Sequence, residues 1–296
     1  MRHCVKDWLL LLTLVVMWGS AFLLNQIALG SFPPTTLVAF RLIIGAIVLI
    51  IAMGWYAIPW HSSPKLLAYF LAMAIIGNAL PYFLIAWGQQ YVSSGLAGIL
   101  MAVMPLATLF LAHFFIPSEP LNTHRVIGFV FGFAGIVVLM GPQSLLEVSH
   151  AGTTLLAQLA ILGGALCYAL GTIIARLRPE SDDLLTATMV LIFAGLVALP
   201  TSLVVESPWI SPLSVAATAS ITLLGLVATG LATVVYFKLL RSAGATFLAQ
   251  MNYLIPVWAL AAGAVFLNEQ VTPKTALGLV IILLGIAISQ NRQLRK

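Results

Sequence analysis

The chain has 296 residues, of which 61% are hydrophobic and only 7% charged, where an average soluble domain carries about 25% charged residues. Its 13 basic and 8 acidic side chains are too few to clothe a soluble protein of this length, so the surroundings it calls for are membrane lipid. The net charge of +5 reads as membrane topology and gives no reason to invoke nucleic acid.

Apolar runs of about 18 or more residues read as membrane-crossing helices, because about 20 residues at roughly 1.5 Å each cross the hydrocarbon core. Ten such runs lie at 8–29, 35–53, 66–87, 93–115, 123–140, 154–175, 184–204, 214–238, 245–267 and 274–290. Breakers fill the connections: Phe32-Pro33-Pro34, Pro59, Pro64, Pro117 with Pro120, Gly141-Pro142, Pro179, Pro208 with Pro212, and Pro273. No connection is long enough for a soluble domain. Arg2 and Lys6 precede the first run as they would in a signal peptide. Its apolar part is too long for one, however, and no small-x-small cleavage site follows before Pro33. Cys4 and Cys167 are far apart and indicate neither a disulfide framework nor a metal site.

With a cytosolic N-terminus, 11 of the 13 basic residues fall on inside segments, which predicts that both termini are cytosolic. Two stretches then repeat. Met104 to Leu139 matches Ile255 to Ser289, aligning Pro105 with Pro256, Glu119 with Glu269, Gly128 with Gly278 and Gly135 with Gly285. Glu119 falls on the inner side and Glu269 on the outer, so an odd number of spans separates the copies. The expected fold is therefore all-α and integral to the membrane: ten helices as two inverted five-helix repeats, residues 1–145 and 146–296.

At this point the chain resembles EamA-type carriers of the drug/metabolite transporter superfamily, a group that includes amino-acid exporters. The residues are Met17-Trp18-Gly19-Ser20-Ala21-Phe22 in span one, Pro34 through Arg41 to Ala46 in span two, and Asn78-Ala79-Leu80-Pro81-Tyr82 in span three. The two Pro-containing spans four and nine, each followed by a glutamate and a Gly-x6-Gly helix, complete it. The second repeat departs, with Leu166-Cys167-Tyr168-Ala169-Leu170 in place of the Trp-Gly pair. The resemblance implies a central cavity lined by spans 1, 3, 4, 6, 8 and 9, alternating access, and transport of small organic metabolites. The bacterial inner (cytoplasmic) membrane is the expected location. It leaves the cargo unnamed.

Polar side chains at mid-membrane usually face the protein interior, where partners or water satisfy them. Candidates to line a cavity are Trp18, Asn78, Tyr82, Met101, Tyr168, Gln250, Asn252 and Tyr253. For Asn78 the alternative is a bond to a neighbouring helix; for Trp18 and Tyr168 it is plain packing. Pro81, Pro105 and Pro256 are candidate kinks, since proline removes a backbone donor and frees a carbonyl. Arg41 is expected to snorkel to the outer interface or to contact a carbonyl, in preference to a substrate carboxylate. His113 reads as interfacial, and Trp8, Trp55 and Trp60 as an aromatic belt. Glu119 and Glu269 are expected to cap helix amides.

All eight carboxylates fall in tails, connections or helix ends, which predicts a facilitator without a carboxylate proton relay. No cofactor or metal motif is present, and no paired acids or His-acid motif mark a lipid enzyme; the trio Glu180, Asp182 and Asp183 lacks a nearby histidine. Nothing resembles a channel filter. Export of amino acids or related small metabolites is therefore the expected function, with a multidrug or organic-cation exporter and a nucleotide-sugar-type exchanger as the other carrier readings. The oligomeric state is open.

Overall fold

The computed structural model describes residues 4–116, 123–140, 152–176, 178–206 and 213–290, without the side chains of Thr246 and Gln290. The expectations placed on Glu119, Glu147, Pro117, Pro120, Pro208, Pro212 and the Gly141-Pro142 pair lie outside them, as does the boundary between residues 145 and 146.

Eight helices are long and apolar enough to cross a membrane: α1 (Val5–Ala28), α2 (Pro34–Trp55), α3 (Pro64–Gln89), α4 (Ser94–Phe115), α5 (Thr123–Met140), α6 (Thr153–Arg176), α7 (Asp183–Val205) and α8 (Val215–Ala245). Two shorter apolar helices, α9 (Met251–Leu267) and α10 (Pro273–Ser289), complete the ten. Their starts follow capping chemistry. Pro33 is extended and Pro34 opens α2, while Ser63, Ser93 and Ser214 accept amides in the first turns of α3, α4 and α8. Asp182 accepts the Leu184 and Leu185 amides at 2.7 and 3.2 Å at the start of α7. The largest departure from expectation is α8, which continues past Lys238 until Gly244 breaks the helical path at φ 80° and ψ 166°. Only glycine reaches that conformation without strain.

The repeat is visible in the packing. α5 and α10 cross so closely that a Cβ on Gly128 would stand 2.5 Å from the Gly285 carbonyl oxygen, and one on Gly135 3.0 Å from that of Gly278. The first glycine of each copy thus faces the second glycine of the other. That pairing requires the two helices to run antiparallel, as an inverted repeat demands. These glycines thus bring two helices of one chain into close contact.

The third helix of each repeat carries the same irregularity. α3 contains a π-helical stretch, Ile75–Ala79, and α8 contains another, Leu224–Leu231. In each, a polar side chain reaches the carbonyl five residues back: Asn78 Nδ2 donates to Met73 at 3.2 Å and Thr229 Oγ1 to Leu224 at 2.9 Å. The two pairs are 151 residues apart, the same offset that relates Pro105 to Pro256.

Acids tie the repeats together. Glu269, beyond α9, accepts the Ser94 and Gly95 amides of α4 at 2.7 and 2.9 Å. Glu206, at the end of α7, accepts the Thr35 and Thr36 amides of α2 at 2.9 and 2.8 Å, and the Thr36 hydroxyl at 2.8 Å. Capping by Glu269 was expected from sequence; that it serves a helix of the other repeat was not. Asp183 pairs with Arg178 at 2.7 Å and Arg241 at 3.4 Å, so the acidic trio's turn is an ion-paired helix start. Trp8, Trp55 and Trp60 are exposed, as a belt at the membrane surface would be.

Candidate functional site

The motif in α1 divides its residues between two neighbours. The Trp18 indole N–H donates to the Ala228 carbonyl in the α8 π stretch at 3.1 Å, and its ring lies 5.6 Å from that of Tyr236. Gly19 and Ser20 serve α9 instead. A Cβ on Gly19 would stand 2.6 Å from the Trp258 ring, and the Trp258 indole donates to Ser20 Oγ at 2.9 Å. Glycine is therefore what lets α9 close onto α1.

Across the bundle, Tyr168 of α6 sits edge-on to Tyr82 of α3, with ring centroids 6.2 Å apart at 66°. The two aromatic pairs obey one rule: the first helix of each repeat offers a ring to the third helix of the other. Trp18 and Tyr168, aligned from sequence, thus hold matching places. Tyr236 of α8 is the partner that completes the first pair.

Arg41 overturns its expectation. It does not snorkel, for it is 6% exposed, and its anchor is a side chain instead of a carbonyl. Nε donates to Thr229 Oγ1 at 2.9 Å, and the guanidinium lies 3.9 Å from the centre of the Tyr82 ring. The reason is geometric. The α8 π stretch turns Thr229 toward α2, and Tyr82 supplies the ring face that a desolvated cation favours. Thr229 is the residue that sequence reasoning missed. Its signal was the match to Asn78 at the repeat offset, which an apolar background hid.

The remaining candidates are spread along the break in each fourth helix. α4 pauses at Ala102 and Val103, whose amides donate to Ile99 and Leu100 three residues back, and Met101 ends the first half. Pro105 stands in the first turn after that pause, as Pro81 does after the α3 π stretch. Pro256 lies inside continuous α9, whose own pause comes earlier, at Ala249 and Gln250. The paired kinks therefore differ by about a turn between repeats. Met101 and Tyr253 pack on the same core cluster as Phe22 and Leu162. Gln250 and Asn252 are half-buried at the start of α9. Asn78, expected to face water or another helix, spends one amide proton on its own helix.

The described acids stay at helix ends: Asp7 joins Cys4 and Ser242 near the start of α1, and Glu206 and Glu269 cap α2 and α4. His113 is exposed, consistent with an interfacial place.

Comparison with known proteins bears on this arrangement directly. The EamA-like transporter family matches the chain twice, over residues 7–141 and 155–290. The chain belongs to this family. EamA proteins are transporters of the drug/metabolite superfamily, so the chain is a multi-pass membrane carrier and not an enzyme. The uncharacterized transporter YoaV of Bacillus subtilis is 25% identical, over 95% of this chain and 96% of its own. A probable terminal-alkyne amino-acid exporter of Streptantibioticus cattleyicolor is 27% identical, over 97% and 94%. A probable amino-acid metabolite efflux pump of Salmonella typhimurium is 25% identical, over 96% and 94%. One solved crystal structure shares the EamA fold seen here, with a TM-score of 0.70 at 19% identity across 96% of this chain and 97% of that one.

Proposed function

We propose that this chain exports amino acids or closely related metabolites across the bacterial inner membrane by alternating access, with N- and C-termini cytoplasmic. The observation that carries the reading is the two relatives named for amino-acid cargo, each matched over 94% of its own length. The repeats at 1–145 and 146–296 rock as units about the α5–α10 glycine contact. Trp18, Asn78, Tyr82, Met101, Tyr168, Gln250, Asn252 and Tyr253 line the substrate path, and Pro81, Pro105 and Pro256 let helices yield beside it. Transport runs down the substrate gradient. Every described carboxylate is at a helix end or connection, where none can carry a proton across the bundle.

Purified protein in liposomes, given labelled amino acids and amines with and without a pH gradient, tests this. Saturable amino-acid flux indifferent to the pH gradient is expected. A requirement for the gradient that survives His113→Ala would overturn the facilitator reading, and flux of amines alone would overturn the cargo.

A further inference from the structure

Arg41 holds a charge that its surroundings do not balance. Its guanidinium stays protonated at any physiological pH. It lies seven residues into α2, or about 10 Å along the helix, and is 6% exposed. Enclosing a cation at that depth is costly unless an opposite charge or complete hydrogen bonding offsets it. Among the described residues only Thr229 bonds it, at Nε and 2.9 Å, and Tyr82 covers one face of the plane at 3.9 Å. No carboxylate among the described residues pairs with it. The four N–H groups on the two η nitrogens make no hydrogen bond to a described residue. Nor are those nitrogens sealed in. The enclosed polar atoms without a partner among the described residues are Asn25 Oδ1, Gln26 Oε1 and Ser94 Oγ. The η nitrogens are not among them, so they keep some exposure in a residue that is 6% exposed.

The surroundings show what those nitrogens suit. Tyr168 stands edge-on to Tyr82, the ring over which Arg41 lies, and Asn78 is one turn before Tyr82. Arg41 and Tyr82 come from the first repeat, Thr229 and Tyr168 from the second, so the site sits where the repeats meet. At the offset that relates Asn78 to Thr229, the place of Arg41 in the second repeat is taken by Ile192. One repeat alone supplies charge. A single guanidinium with its fork free matches a monoanionic carboxylate, which it can bind through two parallel hydrogen bonds. A phosphate of nearly two negative charges would remain half-neutralised, and an organic cation would be repelled.

We infer that Arg41 is the carboxylate-recognition residue of this carrier: the η fork binds the carboxylate of the transported solute, Thr229 fixes Nε, and Tyr82 holds the guanidinium plane. This rests on the amino-acid reading above and adds the chemical group recognised. The first test uses the unmodified protein in liposomes carrying labelled L-leucine, with L-leucine and L-leucinamide as competitors. The amide should compete at least tenfold more weakly. Arg41→Gln should raise KM at least tenfold and erase that preference, and Arg41→Lys should restore only part of it, because an ammonium lacks the fork. Equal competition by the amide, or a preference that persists in Arg41→Gln, overturns the inference while leaving amino-acid transport intact.

If no amino acid is carried, thermal unfolding of the purified protein reads the site without reference to cargo. Acetate, isovalerate and 4-phenylbutyrate should raise the midpoint where their amides do not, and Arg41→Gln should remove the effect. Absence of that stabilisation, or stabilisation by inorganic phosphate in its place, overturns the assignment. Should Arg41→Gln fail to fold, Thr229→Val keeps the charge and frees Nε; it should raise KM by about threefold, and an unchanged KM counts against the proposal.

Discussion

Glu269 takes both of its hydrogen bonds from amides at the start of α4, where unpaired donors and the helix dipole favour a carboxylate. Charge-assisted bonds of this kind are worth about 1.5–3 kcal/mol each when a partner is left stranded by its removal. Glu269→Ala should therefore lower the thermal midpoint in detergent clearly, and Glu269→Gln, which keeps one acceptor, by less. Ser94 offers the contrasting case. Its hydroxyl is enclosed without a partner among the described residues, so Ser94→Ala should change the midpoint by no more than the roughly 0.5 kcal/mol typical of a neutral substitution. A large loss there would mean the hydroxyl is satisfied after all. The capping role of Glu269 could be read from an acid lying just outside an apolar helix. Its customer could not, because the amides it serves are about 175 residues earlier in the chain. Arg41 was misread for a related cause. Sequence shows an arginine near a helix end but not the π stretch of α8 that turns Thr229 toward it.

The ten helices themselves were legible, since length and hydropathy leave few alternatives in a bilayer. Their irregularities were not. An apolar stretch such as Leu224–Leu231 looks the same whether its amides bond four or five residues back, and only the threonine at its heart hints at the difference. The glycines were legible as a repeated Gly-x6-Gly pattern, but not the contact that it makes. Their pairing yields a sharp prediction, because a Cβ on Gly128 would stand 2.5 Å from the Gly285 carbonyl and one on Gly285 2.6 Å from that of Gly128. Gly128→Val or Gly285→Val should force α5 and α10 apart, at a cost of about 1–3 kcal/mol or more, read as a lower midpoint and reduced membrane yield. Gly54→Ala meets no atom within 4 Å and should leave both unchanged, which separates crowding from a general intolerance of added methyl groups.

The inverted repeat gives the molecule two related halves, and function depends on where they differ. Glycine pairs, π stretches and aromatic pairs are matched, whereas Arg41 faces no counterpart and the pauses in α4 and α9 are out of step by about a turn. If the matched features form the scaffold and the line of Trp18, Asn78 and Asn252 the path, then Trp18→Ala, Asn78→Ala and Asn252→Ala should each lower flux severalfold while membrane insertion persists. Normal flux in all three would sink the path. Orientation is a separate matter, because the symmetry looks alike from either side, and only the placement of basic residues breaks the tie. Lys65 lies in the first turn of α3, and the connection between α9 and α10 carries Glu269 near exposed Val271. With Cys4 and Cys167 changed to serine, Val271→Cys should react with a membrane-impermeant maleimide on intact cells, and Ser62→Cys only after lysis. The reverse pattern would place both termini outside and move the Glu206 and Glu269 caps, which share one face, from the outer side to the cytosolic side.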